Sequence, residues 1–321
     1  MRNPRGMISS AVLIACTLFF GFFIRDHYAE FSGVFSEISV AYLLLIACAS
    51  LGMIAVAGLF LKVLIAEFKI DLGFWEYFSL TGLTCFGNIF LPMKGGVGFK
   101  ALYLKRKYNF DYSNFVASLA ANYLVGFNLT SATALLGMLG YYMYAGYWSI
   151  PLAAVFLTLL AGTSWAIFIP PRRLDWIPFT WVRRKTNEVL DGWHLVRRSG
   201  GTVFRLYGIL FLYTALTSAI TWLEFAAFGM KDISGNPIGL AQSIVFTAIA
   251  SLSVFVGITP AALGIRESLL MFCSQTLGIS PAQALAVSLL DRAISFIVLA
   301  LISAFASIYI RKQMSEKPPV I

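Results

Sequence analysis

The chain has 321 residues, 59% of them hydrophobic and only 12% charged, with a mean hydropathy of +0.80 and a formal net charge of +9. Soluble domains carry roughly 25% charged residues, so charges this sparse exclude a soluble globular protein and imply an integral membrane protein. The cations flank apolar runs, which argues for topology and contact with anionic headgroups and against nucleic-acid binding.

A spanning helix needs about 20 mostly apolar residues. The first candidate is 7–24, after Arg2 and Arg5. It has the look of a signal peptide, and Leu13 to Cys16 faintly of a lipoprotein box. Leu18, Phe19 and Phe20 carry the apolar run past the cysteine, and no small-residue cleavage site follows, so a retained helix is expected. The second span is 40–61, followed by Lys62 and Lys69. Segment 74–91 then runs into Pro92-Met93-Lys94-Gly95-Gly96-Val97-Gly98-Phe99-Lys100, and a short stretch over 98–109 leads to a span at 115–143. Tyr141, Tyr142, Tyr144, Tyr147 and Trp148 read as an interfacial aromatic belt at its end.

A span at 149–169 opens the second half. The loop 171–203 interleaves seven cations with Trp176, Phe179, Trp181, Trp193 and Leu195, and is expected to lie as an amphipathic segment on the cytoplasmic membrane surface. A span at 204–229 follows, with Glu224 read as an interfacial residue near its outer end. Segment 238–258 runs into Pro260-Ala261-Ala262-Leu263-Gly264-Ile265-Arg266-Glu267, a short stretch at 264–278 follows, and the last span is 282–310, with Arg311, Lys312 and Lys317 behind it.

The two interrupted segments occupy corresponding places. Lys100 matches Arg266 at an offset of 166 and Ser118 matches Ser288 at 170, so small insertions separate the halves. Apolar segments broken by Pro, Gly and a cation in matching positions are the signature of a transporter built from repeats. Charge supports the same reading. If 74–91 crossed the membrane, the basic stretch 94–107 would lie outside, against the positive-inside rule. The clash disappears if 74–91 and 238–258 are re-entrant, and such backbone is tolerated only where protein or water covers it. The expected architecture is an all-α polytopic membrane protein. It has about six spanning helices and two re-entrant hairpins, arranged as an inverted repeat of 1–145 and 146–321.

Ionisable groups inside a bilayer are costly and face protein or water. Asp291 and Arg292 lie well inside the last span. Neighbours in sequence do not share a helix face, so different partners are expected: Arg266 for Asp291, and Glu267 or Glu224 for Arg292. Lys94, Lys100, Arg266, Glu267, Asp291, Arg292, Asn88 and Asn122 form the candidate substrate-binding set, in which guanidinium and ammonium groups suit a lipid phosphate. Cys16, Cys48, Cys85 and Cys273 read as small apolar side chains, and His27 and His194 stand too far apart in sequence for a metal site. No cofactor and no catalytic residue is expected.

The stretches Asn88 to Pro92, Gly95 to Leu104, Gly264 to Glu267 and Ala286 to Arg292 resemble the lysylphosphatidylglycerol synthase transmembrane family, a flippase-like membrane region. The likeness runs over nearly the whole chain. Two departures stand out: Met93 and Val97 occupy positions that are usually polar, and no soluble synthase domain follows the last span, so aminoacyl-lipid synthesis is not carried over. The resemblance implies lipid translocation in a bacterial cytoplasmic membrane, with both termini cytoplasmic. The implied ligand is an anionic phospholipid or lipid-linked substrate, and the implied partners are membrane lipids, with a separate lipid synthase or a second copy as further possibilities. A non-transporting partner of such a synthase and a lipid-modifying enzyme are the competing readings.

Overall fold

The computed structural model describes residues 38–90, 94–169, 180–198, 200–253 and 265–315. These residues form ten α-helices: α1 (Val40–Ala66), α2 (Phe74–Phe90), α3 (Gly95–Tyr108), α4 (Tyr112–Ala145), α5 (Ile150–Phe168), α6 (Thr180–Arg198), α7 (Gly200–Ala227), α8 (Leu240–Leu252), α9 (Ile265–Ser274) and α10 (Pro281–Ser315). The expected span at 7–24 lies outside the described residues.

Five helices, α1, α4, α5, α7 and α10, are long and apolar enough to cross a membrane. Their outward surfaces are apolar, with Met143, Phe204, Leu301 and Ile308 each more than 70% exposed. A water-facing monomer rarely tolerates such continuous apolar surface, whereas lipid tails match it. The chain is an all-α, multi-pass membrane protein.

The remaining apolar helices are short. At about 1.5 Å per residue the 17 residues of α2 reach roughly 26 Å and the 13 of α8 roughly 20 Å, against a hydrocarbon core of about 30 Å. Both belong to helix pairs whose ends return to one place. At the open end of α2 and α3, Glu76 accepts hydrogen bonds from Tyr103, Lys107 and Tyr108. At the open end of α8 and α9, Gln242 donates to the carbonyl of Leu277 at 2.8 Å, just past α9. Left-handed residues then turn the chain into the next long helix: Asn109 (φ 53°) before α4 and Gly278 (φ 68°) before α10. Asparagine and glycine are the residues that take this conformation most readily.

The element order therefore repeats. Among the described residues, a long helix, a short helix, a second short helix, a left-handed turn and a very long helix occur as α1–α4 and again as α7–α10. Packing exchanges the pairs. α1 lies along α7, α2 packs on α10, and α8 packs on α4. Glycines bring the crossed pairs close. A Cβ on Gly82 of α2 would sit 2.6 Å from Ile302 of α10, and one on Gly137 of α4 would sit 3.0 Å from the Ala241 carbonyl of α8. Small residues at helix crossings are how membrane bundles gain dispersion contact without a hydrophobic driving force.

Two surface expectations need correction. Trp193, expected at the headgroups, is only 5% exposed and packs in a core cluster with Phe60, Leu64, Ala121, Leu206 and Leu210. Gly192 beside it sits so close to Ala117 of α4 that a Cβ would meet that methyl at 2.7 Å. Thr180–Arg198 of this segment form α6, which turns Gly192 and Trp193 onto the bundle. Trp176 and Phe179 lie outside the described residues. Tyr141, expected in the aromatic belt, is buried against the Gly278 turn, while Tyr142, Tyr144 and Tyr147 do stand exposed.

Candidate functional site

The first interrupted segment is fastened by backbone contact. Asn88, near the end of α2, accepts a hydrogen bond from the Val97 N–H at 3.2 Å through Oδ1, satisfying one of the free donors at the start of α3. Gly96 lies so near α2 that a Cβ would fall 2.0 Å from the Thr84 carbonyl oxygen. Lys94 holds a left-handed conformation, φ 55°, just before α3. A residue with a Cβ pays roughly 1–2 kcal/mol for that geometry. The Lys94 side chain donates to the Tyr123 hydroxyl at 3.0 Å and lies 5.1 Å from the centre of that ring.

Lys100, nearly two turns further along α3, faces a cavity of about 310 Å³ between the halves. Asn88, Asn122, Thr84, Ser118 and Tyr123 supply its polar wall. Val56, Phe60, Phe115 and Phe127 supply apolar surface, and Tyr213, Thr214 and Ser251 reach it from α7 and α8. Cys85 also lines it, close enough to Lys100 to interact electrostatically. Among the described residues Lys100 has no ion pair and no hydrogen bond. Lys94 lies outside this cavity, at a neighbouring groove between α4 and α5 whose wall shares Tyr123 and Phe127 with it.

The second interrupted segment carries two ion pairs. Residues 260–264 lie outside the described residues, but Arg266 and Glu267 stand in the first turn of α9. Arg266 donates through Nη2 to Asp291 Oδ2 at 2.6 Å, with each side chain about a quarter exposed. Arg292 donates through Nε to Glu267, which also accepts from Ser288 at 3.3 Å. The two adjacent pairs follow from adjacency itself: consecutive residues on α9 point to different sides, and so do consecutive residues on α10. Tyr213 joins the clusters, since it lines the cavity and lies within electrostatic reach of both Arg266 and Asp291.

The matched positions differ in charge balance. Arg266 and Arg292 each have a carboxylate partner. Their counterparts Lys100 and Asn122 face one cavity, and Ala121, in the core cluster beside it, occupies the position matching Asp291. The second cluster is internally neutralised and the first keeps an unopposed cation.

Glu224 was expected only as an alternative partner for Arg292 or as an interfacial residue, and Glu76 was not legible as a site residue. Glu224 is 1% exposed, has an Oε1 with no hydrogen-bond partner, and lies within electrostatic reach of Arg266 and Asp291. The signal available in the sequence was its spacing from Thr214, Thr217 and Thr221 on one helical face. Glu76 is 5% exposed and ion-paired with Lys107 at 2.9 Å. No local pattern links residues 31 apart. Among the described residues no group of His, Cys, Asp or Glu has the arrangement of a metal site.

No curated protein matches the chain. A family model does, over residues 7–303, and that length covers both interrupted segments, the cavity and the two ion pairs. By that match the protein belongs to the family described as the lysylphosphatidylglycerol synthase TM region.

Proposed function

We propose that this protein moves a phospholipid, or a lipid-linked headgroup, between the leaflets of a bacterial cytoplasmic membrane by alternating access. The observation that carries the reading is Lys100. A cation facing an intramembrane cavity without a counter-ion is costly unless an anion visits it, and a lipid phosphate is the anion available in a bilayer. Asn88 and Asn122 would hydrogen-bond the headgroup, and the apolar wall from Val56 to Phe127 would take the first part of the acyl chains. The volume is in the usual range for small-molecule sites, about 300–1,000 Å³. Lys94, at the neighbouring groove, is assigned to the approach of the lipid. Arg266, Glu267, Asp291 and Arg292 are assigned to the second half of the binding region, where their pairs open as the other face becomes accessible.

Alternating access needs two bodies that rock. The repeated element order and the exchanged helix pairs support an inverted repeat, with α1–α4 in 1–145 and α7–α10 in 146–321. Hairpins whose ends meet support re-entrance from opposite faces. Lys107 donates to Gln313 near the end of α10, so the basic end of α3 and the basic end of the chain share one side. By the positive-inside rule that side is cytoplasmic, and the N-terminus joins it if 7–24 also spans. The reading assigns transport rather than chemistry: Glu267 and Asp291, the carboxylates at the second interrupted segment, are both engaged by arginines.

The test is a proteoliposome assay with fluorescent phosphatidylglycerol and phosphatidylcholine, scoring loss of inner-leaflet label to a membrane-impermeant quencher. A hydrogen bond to a charged group contributes about 1.5–3 kcal/mol, so Lys100→Met should lower the rate roughly 10- to 100-fold. Wild-type vesicles that match protein-free vesicles across a panel of lipids would refute the reading. The family description favours one alternative, a membrane partner of a separate lipid synthase. Stoichiometric co-purification of such an enzyme, with no flipping by the chain alone, would establish it.

A further inference from the structure

We infer that Glu224 is a proton-carrying site that couples lipid movement to a proton gradient, reached from the central cavity along a stripe of hydroxyl side chains. The inference rests on the transport reading for its purpose, but the proton site itself stands on separate observations.

The first observation is a surplus. Two arginines, Arg266 and Arg292, meet three carboxylates: Asp291, Glu267 and Glu224. Asp291 and Glu267 each have an arginine within hydrogen-bonding distance. Glu224 has none, and its Oε1 makes no hydrogen bond at 1% exposure. An ionised carboxylate desolvated without a partner is among the least favourable arrangements in a protein, and a bound proton removes the charge.

Its surroundings sharpen the point. Arg266 of α9 and Asp291 of α10 are the charged groups acting on it. The other faces packed against α7 offer no charge at this level: residues 40–61 of α1, all of α4 and all of α8 lack Asp, Glu, Lys and Arg. The charged helix α6 lies by the opposite end of α7, where its Trp193 clusters with Leu206 and Leu210. Glu224 is therefore placed to compete with Asp291 for Arg266. Protonated, it leaves Arg266 to Asp291, as observed. Deprotonated, it offers Arg266 a second partner.

The second observation is a route. Thr214, Thr217, Thr221 and Glu224 follow at spacings of three, four and three, which sets them on one face of α7. Thr214 lines the cavity. Beside them on α8, Ser251 also lines the cavity, and Thr247 donates to the Thr221 hydroxyl at 3.0 Å. A proton released by Glu224 passes along this hydroxyl stripe to cavity water, and one taken up travels the reverse way.

Two measurements on the full chain test this. The first is infrared difference spectroscopy of purified wild type against Glu224→Gln. The expected result is a protonated-carboxyl stretch near neutral pH that disappears in the variant; identical spectra would overturn the proton site whether or not lipid moves. The second uses phosphatidylcholine–phosphatidylglycerol vesicles with fluorescent phosphatidylglycerol tracer and the membrane potential clamped. For one proton per lipid, a gradient of about one pH unit shifts the tracer distribution by up to about tenfold. Glu224→Gln should abolish that shift, and Thr221→Val should slow its approach. Tracer movement that ignores the gradient, or a variant that responds like wild type, would overturn the coupling. Tracer that never moves would instead sink the transport reading, with the infrared result still deciding the proton site.

Discussion

Removing the carboxylate of Glu76 should loosen the seam that ties α2 and α3 to the end of α10. Glu76 is 5% exposed and accepts from the Lys107 ammonium at 2.9 Å, from Tyr108 at 2.8 Å and from Tyr103, while Lys107 reaches across to Gln313 of α10. Breaking a buried ion pair from one side typically costs about 3–5 kcal/mol, because the remaining charge is left unpaired. Gln313 can still accept from Lys107, so the lower end applies, about 3 kcal/mol for Glu76→Gln. At about 2–4 °C per kcal/mol, the scale for chains of a few hundred residues, the midpoint in detergent should fall on the order of 10 °C. The assay is thermal unfolding followed by reactivity of the half-buried thiols of Cys85 and Cys273, run as a cycle with Lys107→Met. The double variant removes both charges and should be less destabilised than the sum of the singles by more than about 1 kcal/mol, as contacting charged groups are non-additive. A shift of less than about 2 °C in Glu76→Gln, or strict additivity, would show that the cluster does not hold the seam.

Three further outcomes follow from named contacts. Gly96→Ala puts a methyl 2.0 Å from the Thr84 carbonyl oxygen, so α2 and α3 must separate, and folded yield by size-exclusion chromatography should fall sharply. Gly98→Ala, with nothing within 4 Å, should leave that yield unchanged. Asp291→Asn leaves Arg266 short of its counter-ion and should destabilise by about 3 kcal/mol in the same thermal assay, while Arg266→Gln with Asp291→Asn together should recover part of the loss. Arg106→Cys, on the exposed side of α3, should be labelled by a membrane-impermeant maleimide only from the cytoplasmic face; labelling from outside the cell would remove the re-entrant reading of α2 and α3.

The sequence disclosed most of the helices because membrane solvation acts locally. An apolar run of the right length needs no knowledge of its neighbours, and the spans expected at 40–61, 115–143, 149–169, 204–229 and 282–310 all fall on α1, α4, α5, α7 and α10. The pairs Arg266–Asp291 and Arg292–Glu267 were also legible, since intramembrane charges must meet opposite charges and few were on offer. What stayed hidden depends on packing across the bundle. Nothing within 171–203 says that α6 docks on α4 and buries Trp193, because an amphipathic helix suits a membrane surface and a protein groove equally well. Glu224 read as interfacial for a related reason: depth along a helix can be counted, but which face is covered cannot.

The contrast between the matched halves constrains any mechanism. A symmetric transporter would present equivalent sites to the two faces, yet here one half keeps a free cation and the other locks its cations into pairs. A bound phosphate at Lys100 would give the first cluster the counter-charge that Asp291 gives Arg266. On the proposed transport reading, the arginines could hold the phosphate only after releasing their own carboxylates. Ligand binding would then compete with internal ion pairing, and a site opening on the second half would be the weaker binder. That asymmetry would favour release there and capture beside Lys100. Charge-neutral substitution of both Asp291 and Glu267 should invert it, retaining lipid on the second side and slowing the cycle; unchanged turnover in a double variant that still folds would show that the ion pairs serve only to hold α9 against α10.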